Sequence, residues 1–170
     1  MEKFVGTKVI TAQPMNRLEY NEYRGWKLPV DEQHLADEAG MLVEYEDTEH
    51  PNVKGHAGYV SWSPLKVFAK AYQANGCLSF GAAIEMLKRG HKVSRSGWNG
   101  EGMWLVLMPS TENVMPNKES VYAKALNSDS VEGYKITINP HIDMFTATGQ
   151  MQPGWLASQT DMLAEDWGVV

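Results

Sequence analysis

The chain has 170 residues, 43% of them hydrophobic, and a formal net charge of −6. That length suits one domain or two small ones, and no apolar run approaches the roughly 20 residues of a membrane span. The acid excess is even, with 8 Lys/Arg against 11 Asp/Glu up to Gly76 and 7 against 10 beyond it, which argues against long nucleic acids, since these bind mainly by phosphate neutralisation on Lys/Arg.

The opening MEKFVGTKVITAQ has neither the h-region nor the small-residue cleavage site of a secretory signal. Cys77 is the single cysteine. One thiol makes no internal disulfide and no thiolate zinc site, so a reducing cytosol is the expected compartment.

Residues 1–75 read as a small β-α-β-β-α module. A strand is expected over residues 4–12. Asn16 with Glu19 three residues on is a capping box, and Met15 and Tyr20 are placed as its hydrophobic staple. Gly25 ends that helix. The acidic residues 31–38 read as a solvated loop, 41–45 as a strand, and 46–58 as a connecting loop. Residues 59–62 pair with the preceding strand. Ser63-Pro64 then reads as an N-cap with Pro at N1. Leu65, Phe68 and Tyr72 share one face of a helix that Asn75-Gly76 stops.

Residues 77–170 read as a second module. Ser79 caps a helix whose Phe80, Ile84 and Leu87 form an apolar face, and Gly90 is its C′ residue. A short strand over 92–95 leads to the turn GWNG. Glycines on both sides of this turn are expected to adopt φ > 0 and to display Trp98 and Asn99. Residues 103–108 are a strongly apolar strand. Residues 109–133 read as a long loop with one helical turn at 121–126. A strand over 134–139 is interrupted by Pro140 and continues at 142–146, with a hairpin-type turn at 147–149. Ser158 opens a short helix, and 168–170 is a closing edge strand. The whole is α+β, an antiparallel sheet with short helices.

The catalytic signals are thin. His141 and Asp143 share a strand face but have no third metal ligand. Asp161 and Glu165, four apart on a helix, are a carboxylate pair of general acid/base spacing, though a capping carboxylate plus a solvated one has the same pattern. No P-loop, GxGxxG or GxSxG is present. Binding features are stronger. Trp98 beside Asn99, and Trp155 after Pro153-Gly154, are aromatic plates next to turns. Indoles stack on any base face for roughly 1–3 kcal/mol each. Asn99, Asn139 and Gln159 are placed to read a base edge. The helix start at Ser158 can receive phosphate oxygens, with Asp161 facing a ribose and Lys92 and Arg95 as the nearest cations. Trp104 and Trp167 are assigned to the core. Trp98 and Trp155 stay divided between core and surface, because tryptophan is usually largely buried.

SFGAAIEMLKRGHKVSRSGWNGEGMWLVLMP, INPHIDM and WLASQTDMLAEDW make residues 78–170 resemble the phage anti-defence family that counters the Thoeris system, its second described type. KFVGTK, PMNRLEYNEYRGW and YVSWSPLKVFAKAY make residues 1–75 resemble a small accessory module of phage and prophage proteins. The resemblance implies a sponge rather than an enzyme, acting in the host bacterial cytoplasm with no catalytic residue, metal or cofactor. Its implied ligand is a cyclic ADP-ribose-type signal made by TIR-domain proteins, such as glycocyclic ADP-ribose. Family members are often homotetramers that bind the signal uncleaved at subunit interfaces, and some hold cyclic oligonucleotides at a separate site. Carried onto this chain, the implied pocket residues are Phe80, Trp98, Asn99, Gly100, Trp155, Ser158, Gln159 and Asp161. Two alternatives stand beside this reading. One is a nucleotide phosphodiesterase or glycohydrolase using Asp161, Glu165 or His141. The other is a protein-binding inhibitor acting through the first module.

Overall fold

The computed structural model describes residues 1–3, 6–45, 47–48, 50–117, 119–126 and 135–170. The chain divides into two compact units, Met1–Gln73 and Ala74–Val170. Each builds antiparallel sheet with short helices, an α+β construction. Among the described residues, no helix is long and apolar enough to cross a membrane.

In the first unit, β1 (Thr11–Pro14), β2 (Gly40–Tyr45) and β3 (Tyr59–Pro64) form a sheet in that order. The helix α1 (Arg17–Tyr23) starts at the expected capping box. Glu19 N–H donates to Asn16 Oδ1 at 2.8 Å and Asn16 N–H to the Glu19 carboxylate at 2.7 Å, which satisfies donors that a helix start otherwise leaves without partners. Met15 packs with Tyr20, Leu42 and Val60 as the core of the unit. The helix α2 (Leu65–Ala71) follows β3 directly.

Several boundaries differ from expectation. The first strand sits at Thr11–Pro14 rather than 4–12, because pairing with β2 sets its place, from Thr11↔Glu44 to Pro14↔Met41; Phe4 and Val5 lie outside the described residues. The acidic stretch forms a 3-10 helix, Val30–Leu35, with Arg17 bridging to Glu32 and Glu38. Ser63 does not cap α2; the N-cap position falls to Pro64, whose side chain has no acceptor for a capping bond. Both residues remain paired with Met41 and Gly40 in β3, so the helix begins at Leu65 with no side-chain cap. It ends before Asn75-Gly76, since Tyr72 is already extended, and no residue of α2 is buried.

In the second unit, α3 (Phe80–Lys88) is capped by Ser79 and precedes β4 (Val93–Arg95) and β5 (Trp104–Met108). The expected long loop contains β6 (Thr111–Val114), which pairs with β7 (Ile136–Ile138), and α4 (Val121–Ala125) at the expected helical turn. Nothing in the mostly exposed TENV marks β6 as a strand. The end of the loop expected at 109–133 and the first residue of the strand expected at 134–139 lie outside the described residues. The chain closes through β8 (His141–Phe145), β9 (Met151–Gln152), α5 (Gln159–Met162) and β10 (Trp167–Val169). The main sheet runs β10-β4-β5-β8-β9.

Register aligns Val93 with Leu105 and Leu105 with Met144. Side chains alternate between faces along a strand, so these three form one apolar row. With Leu78, Ala83, Leu87 and the fully buried Trp167 they make the core. Trp104 departs from its core assignment. One position from Leu105, it takes the opposite face and stacks on Phe145 at 5.0 Å.

Candidate functional site

The site is built where the end of β4 meets the segment around α5. Alternation turns Arg95 to the same face as Val93, and a cation facing a core requires carboxylates. It finds two. Arg95 Nε donates to Asp166 Oδ1 and Arg95 Nη1 to Asp161 Oδ1, each at 2.7 Å. Asp166 Oδ2 also accepts from Gly97 N–H at 2.7 Å, which fixes the first residue of the GWNG turn. The bond to Asp166, with that to Asp161, strengthens the hold of Arg95 on its proton, and Arg95 in turn holds the Asp166 carboxyl below its ordinary range.

Asp161 is the hub. Its Oδ1 also accepts from Trp98 Nε1–H at 3.0 Å. Its Oδ2 accepts from Ser158 Oγ–H at 2.6 Å and Ser158 N–H at 3.1 Å, while Asp161 N–H donates back to Ser158 Oγ at 3.1 Å. This capping box closes the start of α5, a helix of only 4 residues. Burial alone would raise the Asp161 pKa, but the bonds from Ser158, Trp98 and Arg95 outweigh it and hold the carboxyl at about 2. A group ionised throughout the neutral range is poorly matched to general acid work.

Above this frame lies an aromatic cluster. Trp167 packs 5.4 Å from Trp98, 5.5 Å from Phe80 and 6.2 Å from Trp155. Trp155 is 6.2 Å from Trp98 and 6.4 Å from Phe80. Four of these five pairs meet edge-on, an arrangement that suits the ring quadrupoles, and Phe80 lies tilted against Trp167 at 41°. Trp167 Nε1–H donates to Asp161 O at 3.0 Å, so its indole is closed off. Phe80, Trp98 and Trp155 are half-buried against the core, whereas Asn99, Ser158 and Gln159 are exposed.

The structure thus brings Phe80, Trp98, Trp155, Ser158 and Asp161 together, with Asn99 and Gly100 in the turn beside Trp98 and Gln159 following Ser158. Their working parts differ from the sequence picture. Neither Gly97 nor Gly100 has a positive φ; that conformation falls to Gly102, at 68°. Close approach explains both glycines. A Cβ on Gly97 would lie 2.6 Å from Asp166 Oδ2, and one on Gly100 would lie 2.7 Å from Ala147 Cβ. Arg95 is not an unengaged cation, because two carboxylates hold it. Sequence reasoning missed Asp166 altogether; the available signal was a lone arginine two positions from a core valine. A cavity of about 240 Å³ between Arg95, Asp166 and Val170 contains none of the eight candidate residues.

His141 lies apart from this cluster in its bonding. Its Nδ1–H donates to Asn139 O at 2.8 Å, and its Nε2 sits 3.5 Å from Asp143 Oδ1, an oxygen that also accepts from Gly154 N–H. Among the described residues, no group of three or more His, Cys, Asp or Glu side chains is arranged to hold a metal ion.

Residues 78–170 match the family model of the Thoeris anti-defense 2-like domain. The chain is also 41% identical over 98 residues to Thoeris anti-defense 2 of Bacillus phage SP01, an alignment spanning 55% of this chain and 94% of that relative. The matched span contains β4, the GWNG turn, α5 and every residue of the aromatic cluster. The chain belongs to the Thoeris anti-defense 2-like family, a family of phage anti-defence proteins.

Proposed function

We propose that this protein binds and sequesters cyclic ADP-ribose-type immune signals, glycocyclic ADP-ribose among them, in the host bacterial cytoplasm. It blocks effector activation by lowering the free signal and leaves the signal uncleaved. The observation that carries this reading is the half-buried Phe80, Trp98 and Trp155 beside the exposed Asn99, Ser158 and Gln159. Aromatic faces stack on bases, and neutral donors read their edges.

A nanomolar sponge requires about −12 kcal/mol, more than stacking alone contributes. Arg95 is engaged by Asp161 and Asp166, so the phosphates of the signal need donors from elsewhere. A second copy closing over this face, as in a homotetramer, would supply them and the enclosure that tight binding requires.

Native mass spectrometry after incubation with cyclic ADP-ribose isomers and cyclic oligonucleotides tests the proposal. The expected result is an oligomer carrying a signal that heat releases with unchanged mass. Release of an altered nucleotide would instead support a phosphodiesterase or glycohydrolase. A ligand-loaded monomer would sink the shared-site arrangement.

A further inference from the structure

We infer that the first unit carries a small-molecule site of its own, a groove beside α1 that takes a planar aromatic ring bearing an anion, of the 5′-mononucleotide class. The inference is independent of the sequestration reading. The groove measures about 550 Å³, within the range of small-ligand sites. Arg17, Tyr20, Trp26, Lys27, Glu32 and Trp62 all line it.

Local backbone chemistry puts Trp26 there. Gly25, at φ 70°, ends α1 in the left-handed conformation. Trp26 N–H then donates to Asn21 O at 2.8 Å and Gly25 N–H to Glu22 O at 2.9 Å. This is a Schellman closure, which brings the residue after the glycine back onto the helix. Trp26 accordingly meets Tyr20 edge-on at 6.2 Å. Even so, 52% of Trp26 stays exposed, an unusual amount for a tryptophan in a compact unit.

The charge around this ring is positive, although the unit as a whole is acidic. Glu32 is the sole carboxylate in the lining, and Arg17 already engages it. Lys27 is exposed and makes no ion pair among the described residues. The Arg24 guanidinium lies 4.3 Å from the Trp26 ring centroid and adds a further cation. The Arg17 guanidinium is itself held by Glu32 and Glu38, so the cations beside the ring without a carboxylate partner among the described residues are Lys27 and Arg24. The exposed Trp26 indole with the Lys27 and Arg24 cations beside it matches a ring that carries a phosphate, and a ring or a phosphate alone matches only half of the groove.

The test is titration of the full ¹⁵N-labelled chain with 5′-AMP, adenosine and ribose 5-phosphate, following the indole N–H resonance of Trp26. AMP should shift this resonance saturably. Adenosine and ribose 5-phosphate should each bind at least about tenfold more weakly. Lys27→Glu, at an exposed position, should weaken AMP by about tenfold while leaving the rest of the spectrum unchanged, and Trp26→Ala should remove the response of the neighbouring Tyr20 amide. The assignment fails if Trp26 ignores AMP, or if adenosine or the Lys27→Glu variant gives the same curve. It also fails if a deoxyadenylate hexamer binds more than about a hundredfold more tightly than AMP, which would make the groove a nucleic-acid site.

Discussion

Arg95 donates to Asp161 at 2.7 Å across 66 positions of sequence. The bond ties the end of β4 to the start of α5, Asp161 also holds Trp98 Nε1–H, and Asp166, the other partner of Arg95, holds Gly97 N–H of the turn. The two charged residues most suited to meeting a ligand are therefore engaged in holding the site together.

Asp161→Asn removes one carboxylate from Arg95 and the acceptor that Ser158 Oγ–H uses. The Arg95 and Asp161 side chains are only 11% and 13% exposed. Breaking a pair this deep typically costs several kcal/mol, reduced here because Asp166 keeps its own bond to Arg95. The expected loss is about 2–4 kcal/mol, read from denaturant unfolding of the tryptophan fluorescence. A loss below about 0.5 kcal/mol would show that Asp166 alone suffices.

The same carboxyl makes stability depend on acid. Its pKa is about 2 in the fold against an ordinary 3.8. A depressed folded value means that the contribution is complete above the ordinary range and is lost as pH falls from about 4 to about 2. At about 1.4 kcal/mol per pH unit, this amounts to roughly 2 kcal/mol. Denaturation midpoints measured across that window should fall steeply in the native chain and less steeply in Asp161→Asn. Parallel curves would assign the acid sensitivity to another group.

Trp98 and Trp155 separate structure from recognition unequally. Trp98 bonds Asp161 and packs on Trp167, so Trp98→Ala is expected to destabilise the unit and to lose signal capture. Trp98→Phe keeps a ring and removes only the N–H, at a cost of about 1 kcal/mol. Trp155 makes no side-chain hydrogen bond to Asp161. Trp155→Ala should stay folded and weaken capture of glycocyclic ADP-ribose by at least about tenfold, as one lost stack implies. Unchanged capture by folded Trp155→Ala, measured calorimetrically, would remove that residue from the binding face.

Gly97→Ala tests the close approach. The added Cβ meets a carboxylate that Arg95 holds in place, 2.6 Å away. Overpacking of this kind costs about 1–3 kcal/mol. A thermal midpoint equal to that of the native chain would mean that the Asp166 carboxylate yields freely.

In the first unit, Asn16→Ala removes the acceptor that caps α1. Loss of such a cap costs about 1 kcal/mol. Signal capture should be unaffected, because every proposed capture residue lies in the second unit. A defect in capture without loss of fold would give the first unit a part in that function.

Sequence by itself determined the features that depend on near neighbours. The Asn16/Glu19 box, the Ser79 and Ser158 caps and the helix stops at Gly25 and Gly90 each involve residues a few positions apart, so their chemistry is written in one short stretch. The apolar run at 103–108 marks a strand in the same way, but which of its faces is buried was set by pairing with β4 and β8. β6 was not legible, because its pairing with β7 replaces the apolar pattern that would have marked it. The charge state of the site was decided only by tertiary structure. Arg95 reads as a spare cation until the sheet brings Asp161 and Asp166, 66 and 71 positions away, within 2.7 Å of it. Likewise, a glycine-flanked tryptophan reads as displayed until folding sets Trp98 against Trp167. Electrostatic pairing and burial depend on distance in space, and for these residues that distance comes from the register of β4 with β10.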